Sequence, residues 1–446
     1  MPLRSFPPKT RFVNIELIPE VVSSRMNNGI PCFMLPLTDT HHVRIDFLFN
    51  GGTWIQSMPL QAMMTFQLIK EGTTTRTAQQ INEELDFYGA TITANVCKTY
   101  AFITVICLRK FLSPVMLLVN DFLLHPAFDN NVYELTLQQL WANYQIKKDR
   151  VKPCAERLFY ETLFRRQHPM ADFEYPEHFS QISIDLLKDY YKKCVNAANC
   201  RIFVTGGFNN EDVDMINDMF GKDKWGNSLS TIDICPVEFP AVPLALPQMK
   251  TDENVIVDRD RNIIRLVMPK PTVQSALFAG CVVPKLEGEE RAYLTLANMM
   301  FGGFFGSRLM ANIREQKGYT YGIYSLLQQQ LFFNIFSVQT ETANQFVDKV
   351  IEEVNHEIDR IISQPPSIGE LDIVKKYFSG NICRTYEANL SFTGLLIRKM
   401  ALGDDFKDII SSLKLVRQAK PHHISDVMRR FISPNNVVWC IAGAES

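Results

Sequence analysis

The side chains that most often hold a catalytic metal are present in this chain, but their spacing does not form a metal site. None of the eight histidines is part of a His-x-x-x-His or His-x-x-Glu-His pattern. Two adjacent pairs occur, and adjacent side chains diverge on a strand and lie about 100° apart on a helix. We therefore predict surface or capping roles for the histidines. The eight are His41, His42, His125, His168, His178, His356, His422 and His423.

The ten cysteines are scattered and include no Cys-x-x-Cys pair. Several lie in apolar stretches such as 438–441, which is typical of buried free thiols. Unpaired thiols favour a reducing compartment. The N-terminal residues lack an apolar core of signal-peptide length, and no stretch approaches the ~20 apolar residues of a membrane span. We predict a soluble, cytoplasmic protein that does not associate with membranes.

The composition is that of a globular protein with more than one domain. The 446 residues are 46% hydrophobic and 21% charged, and a chain of this length exceeds one ordinary core. The net charge is −2 and no long Lys/Arg block occurs. Nothing in the charge pattern indicates binding to nucleic acid.

Two pairs of segments indicate that the chain contains an internal duplication. Residues 182–208 and 421–443 each read as an amphipathic helix, an Asn- or Pro-containing turn and an apolar strand that ends in glycine. Residues 85–92 and 314–321 each pass from a helix through a glycine into a strand. The chain therefore consists of two halves that share one plan.

Strand and helix patterns follow the same order in both halves. Residues 43–49 alternate as a strand with Arg44 and Asp46 on the polar face. In the second half, the patterns predict helices at 289–302, 306–316 and 342–363. This order predicts an α+β fold with two similar domains, each a largely antiparallel sheet with helices on one face.

A proline-rich segment separates the halves. It carries prolines at positions 236, 240, 243 and 247, and proline at this density removes backbone donors and opposes helix formation. We interpret it as a semi-extended linker. The predicted organisation is an N-terminal domain at 1–225, a linker at 226–250 and a C-terminal domain at 251–446.

The segment from Gly52 to Thr77 contains Gly52-Thr53-Trp54, Gln61 to Leu68, Glu71-Gly72-Thr73 and Arg76-Thr77. This set of residues resembles the pitrilysin/insulinase family of zinc peptidases. In the family, a helix at this place carries the inverted zinc motif His-x-x-Glu-His. With the motif aligned on the Gly-Thr pair, its two histidine positions fall on Met63 and Gln67, and its glutamate position falls on Phe66.

These three replacements imply that this chain lacks the family's metal chemistry. Zinc takes imidazole, thiolate or carboxylate ligands, which Met63 and Phe66 lack, and the Gln67 amide is a poor substitute. The family's third ligand, a glutamate further along the chain, would fall near residues 141–146, which contain no carboxylate. We expect no metal in this chain, and we expect Met63, Met64 and Phe66 to be ordinary core residues of a helix.

Residues 301–325 resemble the most recognisable part of the family's C-terminal domain. They contain Ser-Arg-Leu at 307–309 and Arg-Glu-x-x-Gly-x-x-Tyr at 314–321. In the family, an arginine and a tyrosine at this spacing reach across the cavity and bind the substrate backbone near the scissile carbonyl. The matching residues are Arg314 and Tyr321, and a guanidinium with a phenol hydroxyl can stabilise the charge that develops there. The alternative is a solvated Arg314 and a core aromatic Tyr321.

A glycine cluster precedes this pair, at Gly302, Gly303 and Gly306. It is not a phosphate-binding loop, because no Gly-Lys-Ser/Thr follows it. We predict that these glycines permit tight helix-to-helix packing.

The resemblance runs from about Ile30 to the C-terminus and implies one half of a clam-shell. It also implies a turn at His168-Pro169, which resembles a His-Pro that the family carries after its third helix. In the two-subunit branch, which includes mitochondrial processing peptidase, one subunit supplies zinc and the other supplies the Arg/Tyr pair. This chain resembles the second kind, in the bacterial type with a short glycine segment. The resemblance implies that it is inactive alone and completes a metalloendopeptidase with a zinc-bearing partner, binding extended peptide through Arg314 and Tyr321.

A second class of function stays open. The chain could be an inert structural pseudo-peptidase, which the large core subunits of respiratory complexes resemble. Retention of Arg314 and Tyr321 favours the peptidase subunit, because a scaffold does not need them. A homodimer in isolation is compatible with either function, since similar surfaces can pair.

Overall fold

Two six-stranded sheets form the centre of the molecule. A computed structural model describes residues 20–37, 40–226, 230–238, 254–387 and 390–445. The first sheet is built from Val22 to Gly206 and the second from Val255 to Gly443. The predicted linker lies partly outside the described residues, at 227–229 and 239–250, so its boundaries stay a prediction.

The first half supplies one sheet and eight α-helices among the described residues. The strands are Val22–Arg25 (β1), Pro31–Pro36 (β2), His42–Asn50 (β3), Thr91–Val96 (β4), Tyr100–Leu108 (β5) and Cys200–Gly206 (β6). The helices are Gln61–Leu68 (α1), Ala78–Tyr88 (α2), Leu112–Leu124 (α3), Asn130–Lys147 (α4), Val151–Phe164 (α5), Pro176–Gln181 (α6), Ile184–Cys194 (α7) and Asn210–Phe220 (α8). The strand order is β1-β2-β6-β3-β5-β4.

The second half repeats this plan. Its strands are Val255–Asp258 (β7), Ile263–Val267 (β8), Gln274–Pro284 (β9), Thr320–Gln329 (β10), Phe333–Ala343 (β11) and Val438–Gly443 (β12). Its helices are Gly288–Asn298 (α9), Val347–Ser363 (α10), Ile368–Glu387 (α11), Leu390–Ala401 (α12), Lys407–Gln418 (α13) and Pro421–Phe431 (α14). The order β10-β11-β9-β12-β8-β7 matches the first sheet strand for strand.

The strand directions confirm the predicted α+β fold with two largely antiparallel sheets. The pairs β2/β6 and β12/β8 are parallel, whereas the other neighbours in each sheet are antiparallel. The helix–turn–strand units seen in the sequence are α7–β6 and α14–β12. Because β4 and β10 end their sheets, each half has a corresponding edge strand.

One helix of each half crosses to cover the sheet of the other. Side chains alternate between the two faces of a strand. On β9, Leu277 packs among the helices of its own half, whereas Phe278 contacts Phe159 of α5, with ring centroids 6.0 Å apart. In exchange, Ile397 of α12 packs with Phe203 of β6. Both faces of the central strands are therefore buried, which fits their nearly continuous apolar sequences.

The helix exchange buries the polar face of β3. Asp46 is fully buried, and Arg44 donates Nε to its Oδ2 at 2.7 Å and Nη2 to its Oδ1 at 2.8 Å. The Thr104 hydroxyl also donates to Asp46. Burial raises the pKa of Asp46, and the Arg44 guanidinium opposes that rise. The face of β3 that reads as polar in the sequence therefore holds an internal ion pair, because helix α12 from the other half covers it.

Candidate functional site

The helix on which the sequence placed the zinc-motif positions, α1, is fixed by its buried face. The Phe66 ring lies 6.0 Å from that of Phe49 on β3 and 6.4 Å from that of Tyr190 on α7. Met64 is buried beside it. At the first turn, Gln61 Nε2 donates to the carbonyl of Leu186 at 2.7 Å. These contacts confirm Met64 and Phe66 as core residues.

Met63 and Gln67 lie on the other face of α1. Met63 is 40% exposed and Gln67 is half-buried. The prediction that Met63 belongs to the core is therefore wrong. The physical reason is helical geometry, because residues four apart share one face, and this face points away from the sheet that buries Phe66.

The donors at this place do not fit a zinc ion. A thioether, a phenyl ring and an amide replace the imidazoles and the carboxylate that zinc prefers. Across the described ranges, no three or more His, Cys, Asp or Glu side chains come together as a potential metal site. On α4, where the third ligand would fall, Trp141 and Asn143 are exposed and Tyr144 is buried. At this place the described side chains of α1 and α4 provide packing contacts and no suitable zinc ligands.

The second half brings Arg314 and Tyr321 together. Arg314 lies on a π-helix, Met310–Gln316, and the chain then turns at Gly318, whose φ is 66°, to enter β10. Arg314 Nε donates to the carbonyl oxygen of Tyr321 at 3.0 Å. The Tyr321 side chain is 91% exposed. The alternative of a core aromatic at this position is therefore excluded.

A bulge in the edge strand turns the Tyr321 ring outwards. The β10–β11 register shifts between Thr320 and Ile323. The Thr320 hydroxyl fixes the bulge, since it lies 2.8 Å from the Thr340 hydroxyl and accepts from the Gly322 amide at 3.2 Å. Bulges re-aim side chains and are frequent beside functional sites.

Phe305 completes the surroundings of Arg314, and no motif in the sequence pointed to it. The Arg314 guanidinium lies 4.9 Å from the centre of the Phe305 ring, which is itself exposed. The Glu315 carboxylate is 3.8 Å from Arg314 Nη1. The only signal in the sequence is the Phe-Phe pair within the glycine segment, which alone indicates no partner. Together, Phe305 and Glu315 hold the Arg314 guanidinium at the surface of the second half.

The glycine cluster packs differently from the prediction. Gly302 lies in a second π-helix, Met299–Gly303, and approaches β10 so closely that an added Cβ would lie 2.6 Å from the backbone nitrogen of Ser325. The contact is therefore helix to strand, not helix to helix. Interruptions of the α-helical pattern are frequent at functional sites, and both π-helices pack on β10.

Several of the described histidines have structural contacts. His168 is 4% exposed, lies 4.9 Å from the Phe164 ring and accepts from the Met170 amide, which confirms the predicted turn but not a surface position. His423 stacks on Tyr293 at 4.4 Å and caps α14 by accepting from the Lys420 amide. Its capping role agrees with the sequence analysis.

Seven of the ten cysteines are buried and all ten are free, whereas Cys235 is exposed. Burial raises the pKa of the Cys32 thiol to about 11. The prediction of buried free thiols is correct for most positions and wrong for Cys235. Among the described residues, no helix is both long and apolar enough to cross a bilayer.

The architecture and the site define a class of protein. This chain has two duplicated α+β units, a helix α1 whose Met63, Phe66 and Gln67 do not suit a zinc ion, and an exposed Arg/Tyr pair in the second unit. Residues 181–378 match the family model described as the Peptidase M16 inactive domain. This segment is therefore similar to the inactive domain of the M16 peptidases.

Three known proteins extend the comparison over most of the chain. The chain is 23% identical to the "Uncharacterized zinc protease YmxG" of Bacillus subtilis, over 82% of this chain and 86% of that protein. The crystal structure of a peptidase M16 inactive domain from Pseudomonas fluorescens superposes with a TM-score of 0.84 at 18% identity, covering 96% of this chain and 98% of the other. A chain of complex III2 from Candida albicans gives 0.72 at 12% identity, covering 95% and 96%. The chain therefore has the M16 fold.

Proposed function

We propose that this chain is the zinc-less subunit of a two-subunit M16 peptidase. In this proposal, the partner is a His-x-x-Glu-His subunit that carries the zinc, and this chain completes the substrate cavity. The observation that carries the proposal is the exposed Tyr321 ring beside an arginine fixed by the Tyr321 carbonyl. A large aromatic side chain that is 91% exposed contributes little to the fold.

The substrate would be an extended peptide, held near its scissile bond. Arg314 is oriented through Nε, and within the described ranges its Nη2 group and the Tyr321 hydroxyl have no protein acceptor. Both can donate to a carbonyl oxygen on which negative charge develops. Donors that are fixed before the reaction stabilise such charge most effectively. The zinc chemistry would belong wholly to the partner, and this chain would have no peptidase activity alone.

Co-expression with a zinc-bearing M16 chain tests the proposal. We expect the two chains to co-elute, with chelator-sensitive peptidase activity in the mixture and in neither chain alone. A partner whose motif glutamate is replaced by glutamine should form the same complex without activity. Elemental analysis that finds about one zinc for each isolated chain of this protein would contradict the proposal.

The competing proposal is an inert scaffold. The fold similarity to a chain of the Candida albicans complex supports it, because such a chain has the same architecture within a large assembly. If every His-x-x-Glu-His chain of the source organism leaves this protein alone on size exclusion, the scaffold becomes the better account. The free buried thiols favour a reducing compartment such as the cytoplasm for either function.

A further inference from the structure

A cavity of about 350 Å³ lies in the second half, away from Arg314 and Tyr321. It is enclosed by α9, the β10–β11 hairpin, α11, α12 and α13. Its walls are mainly apolar and include Leu327, Phe378, Ile382, Leu395 and Ile409. Ligand pockets usually measure about 300–1,000 Å³, so the cavity has the size of a small-molecule site.

The charges around the cavity leave one cation in excess. Asp404 accepts from Arg291 at 2.8 Å and from Lys399 at 3.0 Å, and Asp408 lies 3.5 Å from Arg291. Two carboxylates therefore balance two of the lining cations. Arg398 also lines the cavity and is exposed. Its guanidinium forms no ion pair or hydrogen bond within the part of the chain that the structure describes.

We propose that this cavity binds a small amphipathic carboxylate, with its apolar tail against Leu395 and Ile409 and its head group on Arg398. An apolar wall beside a cation without a partner is complementary to such a molecule, and a guanidinium recognises a carboxylate through paired hydrogen bonds. A water molecule occupies roughly 30 Å³ in the liquid, so the cavity has room for on the order of ten ligand groups of that size, such as CH₂ or carboxylate groups. Decanoate is therefore the probe of choice.

The site has a structural consequence, because α12 contacts both halves. Arg398 and Leu395 line the cavity, whereas Ile397 on the same helix packs with Phe203 of the first sheet. A ligand under α12 would stabilise the contact between the halves. This inference does not depend on the proposed peptidase function.

Calorimetric titration of the intact chain with decanoate and 1-decanol, both below their aggregation limits, tests the site. We expect decanoate to bind at least about tenfold more tightly than the neutral alcohol. Arg398→Gln should weaken decanoate by about tenfold and leave 1-decanol unchanged, while Leu395→Trp should remove binding of both. Arg25→Gln, at an exposed arginine on β1, is the matched control and should bind as the unmodified chain does.

The melting profile of each variant establishes that it is folded before titration. Because Arg398 is exposed, its replacement should not affect folding. Absence of decanoate binding to the unmodified chain would overturn the proposal. Equal affinities for decanoate and 1-decanol, or an Arg398→Gln variant that retains full affinity for decanoate, would overturn it as well.

Discussion

The two halves contain the same helix–glycine–strand unit, and they use it differently. In the first half, α2 ends at Tyr88, Gly89 caps it with a φ of 58°, and β4 follows. The positions four before and three after this glycine are Leu85 and Ile92, both half-buried. In the second half, Gly318 has the same role, and the corresponding residues are Arg314 and Tyr321.

This difference teaches that the fold does not require the Arg/Tyr pair. The first unit closes with two apolar side chains and a regular helix with a capping box at Thr77. The second unit has a π-helix, a strand bulge and an exposed aromatic ring at the same place. Departures from local regularity are expected where function, not stability, selects the residues. On α1, by contrast, the helix is regular, Phe66 is buried in the core, and Met63 and Gln67 lie on the outer face.

The largest effect that we predict is on stability at α1. Phe66→Ala should lower the free energy of unfolding by about 3–5 kcal/mol, because it removes a buried ring between Phe49 and Tyr190. Met63→Ala, on the exposed face, should change it by about 0.5 kcal/mol or less. Urea denaturation measures both. Equal losses would mean that the two faces of α1 are not distinct, and the comparison would then fail.

A smaller effect is expected at the packing that supports Arg314. In Gly302→Ala the new Cβ would lie 2.6 Å from the Ser325 nitrogen, so β10 or the π-helix must shift. Overpacking of this kind costs about 1–3 kcal/mol, which urea denaturation can measure. Gly380→Ala on α11 has nothing within 4 Å of the added Cβ and should instead stabilise by about 0.5–1 kcal/mol. If Gly302→Ala leaves the free energy of unfolding unchanged, Gly302 and β10 are not in the close contact described above.

The smallest effect is a pH dependence at His168. Burial lowers the pKa of this imidazole, so the folded chain keeps it neutral where the unfolded chain, with a pKa of about 6.5, already binds a proton. Its contribution is therefore complete above about pH 6.5 and decreases as the pH falls below that value, by at most about 1.4 kcal/mol per pH unit. His168→Gln should flatten this slope in urea titrations between about pH 5 and 7.

The control for this measurement is His125→Gln, because His125 is exposed. We expect that variant to retain the slope of the unmodified chain. If the His168→Gln variant also retains it, another group produces the pH dependence and His168 is not the buried neutral imidazole of the account.

Local periodicity predicted the duplicated plan, because each half contains an amphipathic helix, a turn and an apolar strand that ends in glycine. The helix–turn–strand segments became α7–β6 and α14–β12. The predicted helix at 342–363 begins later, at Val347, because β11 continues to Ala343, where it pairs with Gln274 of β9. Such pairing depends on residues far away in sequence. A local pattern therefore could not place this boundary.

The site was predictable in its residue identities and not in its surroundings. The spacing of Arg314, Gly318 and Tyr321 was visible in the sequence. The predicted helices at 289–302 and 306–316 overlap the two π-helices, and the first of these approaches Ser325 on β10 closely at Gly302. The burial of Asp46 under α12 from the other half was equally invisible. In each case a long-range contact decided the outcome.

The most direct test of the central claim is turnover of the reconstituted two-subunit complex with Arg314→Ala and with Tyr321→Phe. Removal of one donor to a developing oxyanion typically costs about 10²–10³ in kcat. We predict losses of that order for both variants, with complex formation and chain stability unchanged within about 0.5 kcal/mol. Tyr324→Phe, at a tyrosine that is 48% exposed on the same strand, should retain full turnover. Full activity of both Arg314→Ala and Tyr321→Phe in an intact complex would contradict the account and leave this protein as a scaffold.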